Sequence, residues 1–169
     1  ITKTASRYDK FKYLNFDALN YSGAWNWRLG RQFSGKISAS RDESLAPFED
    51  TVGIGRNVRI TENQAFDADV WITGGWYLKL GASESDQKSE QQNVFSRTPD
   101  YKSTNGSLGV KYQTRAGNTL VLRRQSTEGE YTNVPVGSLS TDYSEDLSEL
   151  SADWKLTSAS VLNGRIGWL

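Results

Sequence analysis

The chain has 169 residues, and its 20 lysines and arginines balance 20 aspartates and glutamates, so no global field argues for nucleic acid or an anionic surface as partner. Histidine and cysteine are both absent, which excludes Ser-His-Asp and Cys-His catalysis, histidine- or thiolate-ligated metal centres, and any disulfide framework. No run approaches the roughly 18 apolar residues of a membrane-spanning helix, and the mean hydropathy is -0.64.

Polar and apolar residues alternate along most of the chain, in hairpins that recur about every 42 residues. The first clear strand carries Leu19, Tyr21, Gly23, Trp25, Trp27 and Leu29 on one face and Asn20, Ser22, Ala24, Asn26 and Arg28 on the other. It turns at Leu29-Gly30-Arg31 into Phe33, Gly35, Ile37 and Ala39, set against Ser34, Lys36 and Ser38. A polar loop is expected from Asp42 to Gly55. Next, Phe66, Ala68, Val70 and Ile72 oppose Asp67, Asp69 and Trp71; beyond Thr73-Gly74-Gly75, Trp76, Leu78, Leu80 and Ala82 oppose Tyr77, Lys79, Gly81 and Ser83. A second loop is expected from Ser85 to Tyr101.

In the third hairpin Leu108, Val110 and Tyr112 oppose Ser107, Gly109 and Lys111, and the turn is Arg115-Ala116-Gly117-Asn118. The strand from Thr119 to Gln125 is ambiguous, because Val121 interrupts Leu120 and Leu122. After a loop expected from Gly129 to Ser144, Leu150, Ala152, Trp154 and Leu156 oppose Ser151, Asp153 and Lys155. The last turn, Thr157-Ser158-Ala159-Ser160, leads to Gly164, Ile166 and Trp168 against Arg165. Pro47, Pro99 and Pro135 all fall in the long loops, where no ladder hydrogen bond is lost.

The pattern predicts an all-β, antiparallel up-and-down meander of about eight strands of roughly 8 to 12 residues, one domain over 1–169. Short turns at one end and long loops at the other are the asymmetry of outer-membrane barrels, so the expected fold is a transmembrane β-barrel or a fragment of a larger one. A soluble β-barrel or sandwich alternates as well, with its apolar face inward. Two features favour the membrane. One face carries Arg28, Lys36, Asp67, Asp69, Lys79, Lys111, Asp153, Lys155 and Arg165, with Arg123 beside them, a density that suits a wet, salt-bridged lumen. The large aromatics Trp25, Trp27, Phe33, Trp76, Tyr112 and Trp154 lie close to the short turns, where rings at one height form an interfacial girdle.

Certain segments resemble the EpsL-like outer-membrane barrels of exosortase-linked exopolysaccharide systems. They are Tyr8-Asp9-Lys10-Phe11, Trp25-Asn26-Trp27-Arg28-Leu29-Gly30 with Phe33-Ser34-Gly35, Gly55-Arg56-Asn57, Phe66-Asp67-Ala68-Asp69 and Gly75-Trp76, followed by Arg115-Ala116-Gly117-Asn118, Gly129-Glu130-Tyr131 and Ala152-Asp153-Trp154-Lys155-Leu156. The resemblance implies a protein of the outer membrane of a Gram-negative bacterium, engaged in exopolysaccharide biosynthesis or export. It also implies a barrel longer than this chain, so a segment of a larger protein is expected. A closed eight-stranded barrel is filled by its own side chains and would pass no polymer.

No catalytic residue, cofactor site or metal site is assigned. Asp67 and Asp69 share a face about 7 Å apart, a spacing open to acid-base chemistry but better read as part of a cross-strand charge network. Gly53-Ile54-Gly55-Arg56 is not a phosphate loop, and Asp142, Glu145, Asp146 and Glu149 form an acidic run that either holds a divalent cation or faces solvent. Phe95, Tyr101, Tyr131 and Tyr143 stand in loop sequence, where rings beside carboxylates suit sugars. The expected partners are outer-membrane lipid, polysaccharide and other secretion-system components, with self-association through strand edges and no nucleic acid. The expected role is a passive conduit or assembly component, with a loop-binding structural or adhesin-type barrel as the first alternative and a soluble binding protein as the second.

Overall fold

The computed structural model describes residues 1–45, 57–91, 99–132, 134, 142–157 and 160–169. Gly53 to Arg56, Phe95, Pro47, Pro135 and the centre of the fourth turn, Ser158 and Ala159, lie outside them. The fold is a single antiparallel sheet in chain order: β1 (Thr2–Ser6), β2 (Phe16–Leu29), β3 (Phe33–Leu45), β4 (Asn57–Thr73), β5 (Trp76–Gln91), β6 (Asp100–Gln113), β7 (Thr119–Thr132), β8 (Tyr143–Lys155) and β9 (Val161–Trp168). One 3-10 turn, Lys12–Leu14, links β1 to β2. β1 and β9 are the two edges and do not pair with each other among the described residues.

Nine strands replace the expected eight, and most are longer than expected. β1 pairs Thr2 to Ser6 with Asn20 to Phe16; its sequence, Thr-Lys-Thr-Ala-Ser, has no apolar alternation to announce it. β5 continues through Ser85 to Gln91, paired with β4, and β6 and β7 likewise run through Tyr101 and Tyr131, inside segments whose polarity reads as loop. Polarity misleads here because both faces of these strand ends are polar, so period 2 vanishes while the backbone ladder continues.

The short turns follow from glycine. Gly30, Gly74 and Gly117 have φ of 62°, 54° and 84°, the left-handed region that an L side chain adopts only at a cost of about 1–2 kcal/mol. Each successive hairpin reaches a little further than the last. Phe33, first after the first turn, pairs with Val70, and β4 runs on to Thr73; Trp76 pairs with Tyr112, and β6 runs on to Gln113; Thr119 pairs with Asp153, and β8 runs on to Lys155. That overshoot is about one residue per strand. With about 3.3 Å per residue and 4.8 Å between strands, turns held at one height require strands tilted by about 35°, at the low end of the range of closed barrels.

The sheet has no apolar core. Among the described residues the buried apolar side chains are Leu14, Ala18, Val58 and Ala68, and no large one is fully enclosed. Apolar side chains instead occupy the more open face: Trp25 is 66% exposed and Leu108 55%, whereas on the polar face the Lys111 side chain is 15% exposed and that of Glu149 10%. A soluble sandwich has the opposite arrangement. Leu120 and Leu122 take the apolar face and Val121, opposite Lys111, the polar one, which resolves the ambiguous strand.

Toward the long-loop end the backbones of β2 and β3 are bridged by side chains. The Leu19 N–H donates to Glu43 Oε2 at 2.8 Å, and the Glu43 N–H donates to Asn20 Oδ1 at 2.7 Å. Arg41 joins Glu43 at 2.5 Å to Glu62 of β4 at 2.6 Å. The bond from Leu19, with help from Arg41, holds the Glu43 carboxyl below its ordinary value. A carboxyl depressed on folding stabilises the fold above its unfolded pKa of 4.5, and that contribution is lost as pH falls through the lower folded value. Thermal stability in detergent is therefore expected to be flat from about pH 7 to pH 5 at this site and to fall below about pH 4.5. Glu43→Gln is expected to lower stability at pH 7 and to flatten the acid limb, a comparison read from the two melting curves.

Candidate functional site

Register carries the polar face across the sheet in rows. One row runs Arg28, Ser34, Asp69, Lys79, Gly109, Arg123, Glu149 and Gly167, from β2 to β9. Within it the Asp69 carboxylate is held by two cations. Lys79 Nζ lies 2.8 Å from Oδ1, and Lys111, one residue pair nearer the turns on β6, bonds Oδ2. Lys111 also sits over the Tyr77 ring, 4.4 Å from its centre. The second node is Glu149, with Arg123 at 3.1 Å and Arg165 at 3.4 Å. Each carboxylate thus takes two cations from different strands, which ties β4, β5 and β6 at one node and β7, β8 and β9 at the other.

All nine of the expected lining residues share this face, but they are not one cluster. Asp69, Lys79 and Lys111 meet; Arg165 joins through Glu149. Lys36 stands directly across from Asp67 and, with Arg28, lines a groove of about 440 Å³ beside Asp69 and Lys79. Asp153 and Lys155 lie apart, near the third turn, where the Thr119 hydroxyl donates to Asp153 Oδ2 at 3.4 Å and the Lys155 N–H to Asn118 Oδ1 at 2.9 Å. Glu149 completes the second node, and its role is hidden in the sequence by the acidic run around it. Only its parity, one residue from the apolar Leu150, marks it as belonging to the polar face.

The acidic run does not converge. Glu149 bonds Arg123 and Arg165 on the polar face, Asp146 bonds Arg124 on the opposite face at 3.1 Å, and Asp142 accepts the Tyr131 N–H at 3.1 Å. Among the described residues no group of three or more carboxylates is placed to hold a metal ion. Asp67 and Asp69 are adjacent on the face, but Asp69 is occupied by its two lysines.

The six girdle aromatics all lie on the apolar face. Trp76 packs on Tyr112 with ring centres 4.8 Å apart, and Trp27 stacks on Phe66 at 6.3 Å. Trp27 lies across Gly35: a Cβ there would come within 2.5 Å of the indole, so glycine is what lets the ring lie flat. They do not share one register row. The row of Trp27 passes through Gly35, Leu80 and Leu108 to Ser148 on β8, and Trp154 lies six residues beyond Ser148 toward the turns. Six strands and six residues give the same one-residue step as the turns, so in a sheet tilted by that step Trp27 and Trp154 stand at one height.

The three sequence-noted tyrosines also come together. Tyr101 of β6 is directly paired with Tyr131 of β7, ring centres 4.9 Å apart, and its hydroxyl lies 2.8 Å from that of Tyr143 on β8. Comparison of the chain with protein-family models, with curated proteins and with solved structures finds no match.

The two-cation nodes carry a stability prediction. Asp69→Asn leaves two ammonium groups facing each other and is expected to cost about 1–3 kcal/mol, whereas Lys79→Gln, which leaves the Lys111 pair, is expected to cost under about 1 kcal/mol. Adding Lys111→Met to Asp69→Asn is expected to recover part of the loss; equilibrium unfolding in detergent measures all three.

Proposed function

We propose that the chain is a transmembrane section of an outer-membrane β-barrel, acting as a passive conduit or assembly component in exopolysaccharide export. One observation carries the membrane reading: the outer face changes character along the same strands. Near the short turns it is apolar, with Leu29, Trp27 and Trp25 on β2, Val70, Ala68 and Phe66 on β4, and Trp76 to Ala82 on β5. Toward the long loops the same face becomes a lattice of ion pairs: Arg41 with Glu43 and Glu62, Lys88 with Asp86, and Lys102 with Glu84. A lipid band below and a charged rim in water above give that boundary a physical cause. Below the ion pairs, Gly23 to Leu29 on β2 and Trp76 to Ala82 on β5 each span about 20 Å of strand, about 16 Å once tilted, thinner than the roughly 25 Å of an outer-membrane apolar band.

The conduit role rests on the polar face. Its charges are mixed in sign, with Asp69 and Glu149 each held between two cations, so a polar polymer passing over it meets hydrogen-bonding groups without a field of a single sign. The link to exopolysaccharide rests on the resemblance to EpsL-like barrels. In a bilayer both edge strands require partners, because an unpaired ladder edge is not tolerated in hydrocarbon.

An exposed leucine distinguishes water from lipid. Leu108→Arg is expected to cost about 2–4 kcal/mol in lipid bilayers, and Thr104→Arg, four residues toward the rim, about 0–1 kcal/mol. If Leu108→Arg is neutral and the chain remains in buffer when detergent is offered, the membrane reading fails. Conductance of the full-length protein in planar bilayers tests the conduit: the expected result is an open pore whose ion selectivity shifts when Lys79 is reversed to Glu.

A further inference from the structure

The polar face is not uniform from end to end. Its turn half holds the ion-paired residues around Asp69 and Glu149. Its loop half on β5 to β7 is largely uncharged, with Ser85 opposite Ser103, Gln87 opposite Tyr101, and Asn105 donating to Thr127 at 2.9 Å. At the top of that half stands the tyrosine trio. Tyr101 and Tyr131 meet at an angle of 45°, and the Tyr143 ring lies against the β7 backbone at Gly129, where an added Cβ would come within 2.7 Å of it. Glycine at that position lets the third ring lie flat. Three adjacent strands thus contribute three rings to one patch, half-buried at Tyr101 and Tyr131 and open at Tyr143.

We propose that Tyr101, Tyr131 and Tyr143 form a binding platform for an uncharged glycan segment at the loop-end mouth of the polar face. This rests on the reading of that face as a polysaccharide path and names the chemistry of its entrance. Pyranose rings present C–H faces that pack on aromatic rings, and their hydroxyls bond neutral serine, glutamine and asparagine groups of the kind that surround the trio. On the polar face the charge beside the trio is acidic: Asp142 accepts the Tyr131 N–H, and Glu145, opposite Thr127, lies two residues from Tyr143, while Lys102, Glu128 and Glu130 take the other face. That field repels uronate and sulfate sugars, which selects a neutral polymer. The hydroxyl contact between Tyr101 and Tyr143 fixes the rings in relation to one another, so the platform is organised before a ligand arrives.

The test is saturation-transfer NMR on the chain folded in detergent micelles, with cellohexaose as a neutral probe and an oligogalacturonate as an anionic one. The expected result is transfer to cellohexaose and little to oligogalacturonate, with Tyr131→Ala and Tyr143→Ala each weakening binding about five- to ten-fold and Tyr131→Trp retaining it. Tyr77→Ala, at the turn end of the same face, is expected to leave binding unchanged. Should the alanine variants fail to fold, isotope-labelled tyrosine in the unaltered chain decides: ring resonances of the trio must move on adding cellohexaose while those of Tyr77 do not. Absence of transfer to cellohexaose, transfer that survives loss of all three rings, or preference for the anionic sugar overturns the proposal. Its fate is separable from that of the membrane reading, because tyrosine-dependent sugar binding beside a neutral Leu108→Arg keeps the platform and sinks the barrel, and the reverse pair of results does the opposite.

Discussion

A sheet of one layer has two faces and no interior, and everything else in this protein depends on that. The pleat assigns each side chain to one face or the other, and antiparallel register copies the assignment from strand to strand. A slip of one residue at any hairpin would bring Trp, Leu and Ile onto the charged face for every strand beyond it. Glycines at Gly30, Gly74 and Gly117 hold three of the hairpins in register by accepting left-handed backbone that other residues resist. Asp69 and Glu149 reinforce it on the polar face, since each reaches cations on two neighbouring strands only when the rows are aligned.

Where side chains were apolar on one side and polar on the other, the sequence was legible. The faces of Trp25, Phe66, Leu78, Val110 and Ile166 follow from alternation, as do those of Asp69, Lys79 and Lys111. Legibility fails where the environment is the same on both sides. From Ser83 to Ser89 neither face is apolar, so the residues look like loop although β5 continues in full register with β4. β1 fails for the same reason. The site was harder still, because its partners are non-local: Glu149 and Arg123 are 26 residues apart, and Tyr101 and Tyr143 are 42 apart. Composition shows the pieces; only register brings them together.

The same non-locality explains the ion pairs on the outer rim. Arg41, Glu43 and Glu62 come from β3 and β4 at the height where the outer face ceases to be apolar, and Lys102 reaches Glu84 one hairpin further on. Exposed pairs of this kind add little stability singly. Their position matters more than their strength, because they stand where the apolar side chains of that face give way to polar ones.

Tilt connects the two ends. The hairpins descend by about one residue per strand, and so do the aromatics from Trp27 to Trp154, although nothing in local packing couples a tryptophan on β2 to one on β8. Under the membrane reading proposed above, the rings share a height because they mark one boundary. Trp27 and Trp154 depart from the rows by the amount that a strand tilt of about 35° converts into a level belt. Two sets of residues under separate local demands, glycine for turns and indole for ring contacts, thus share one slope, and a planar boundary across the strands is the physical condition that would impose it on both.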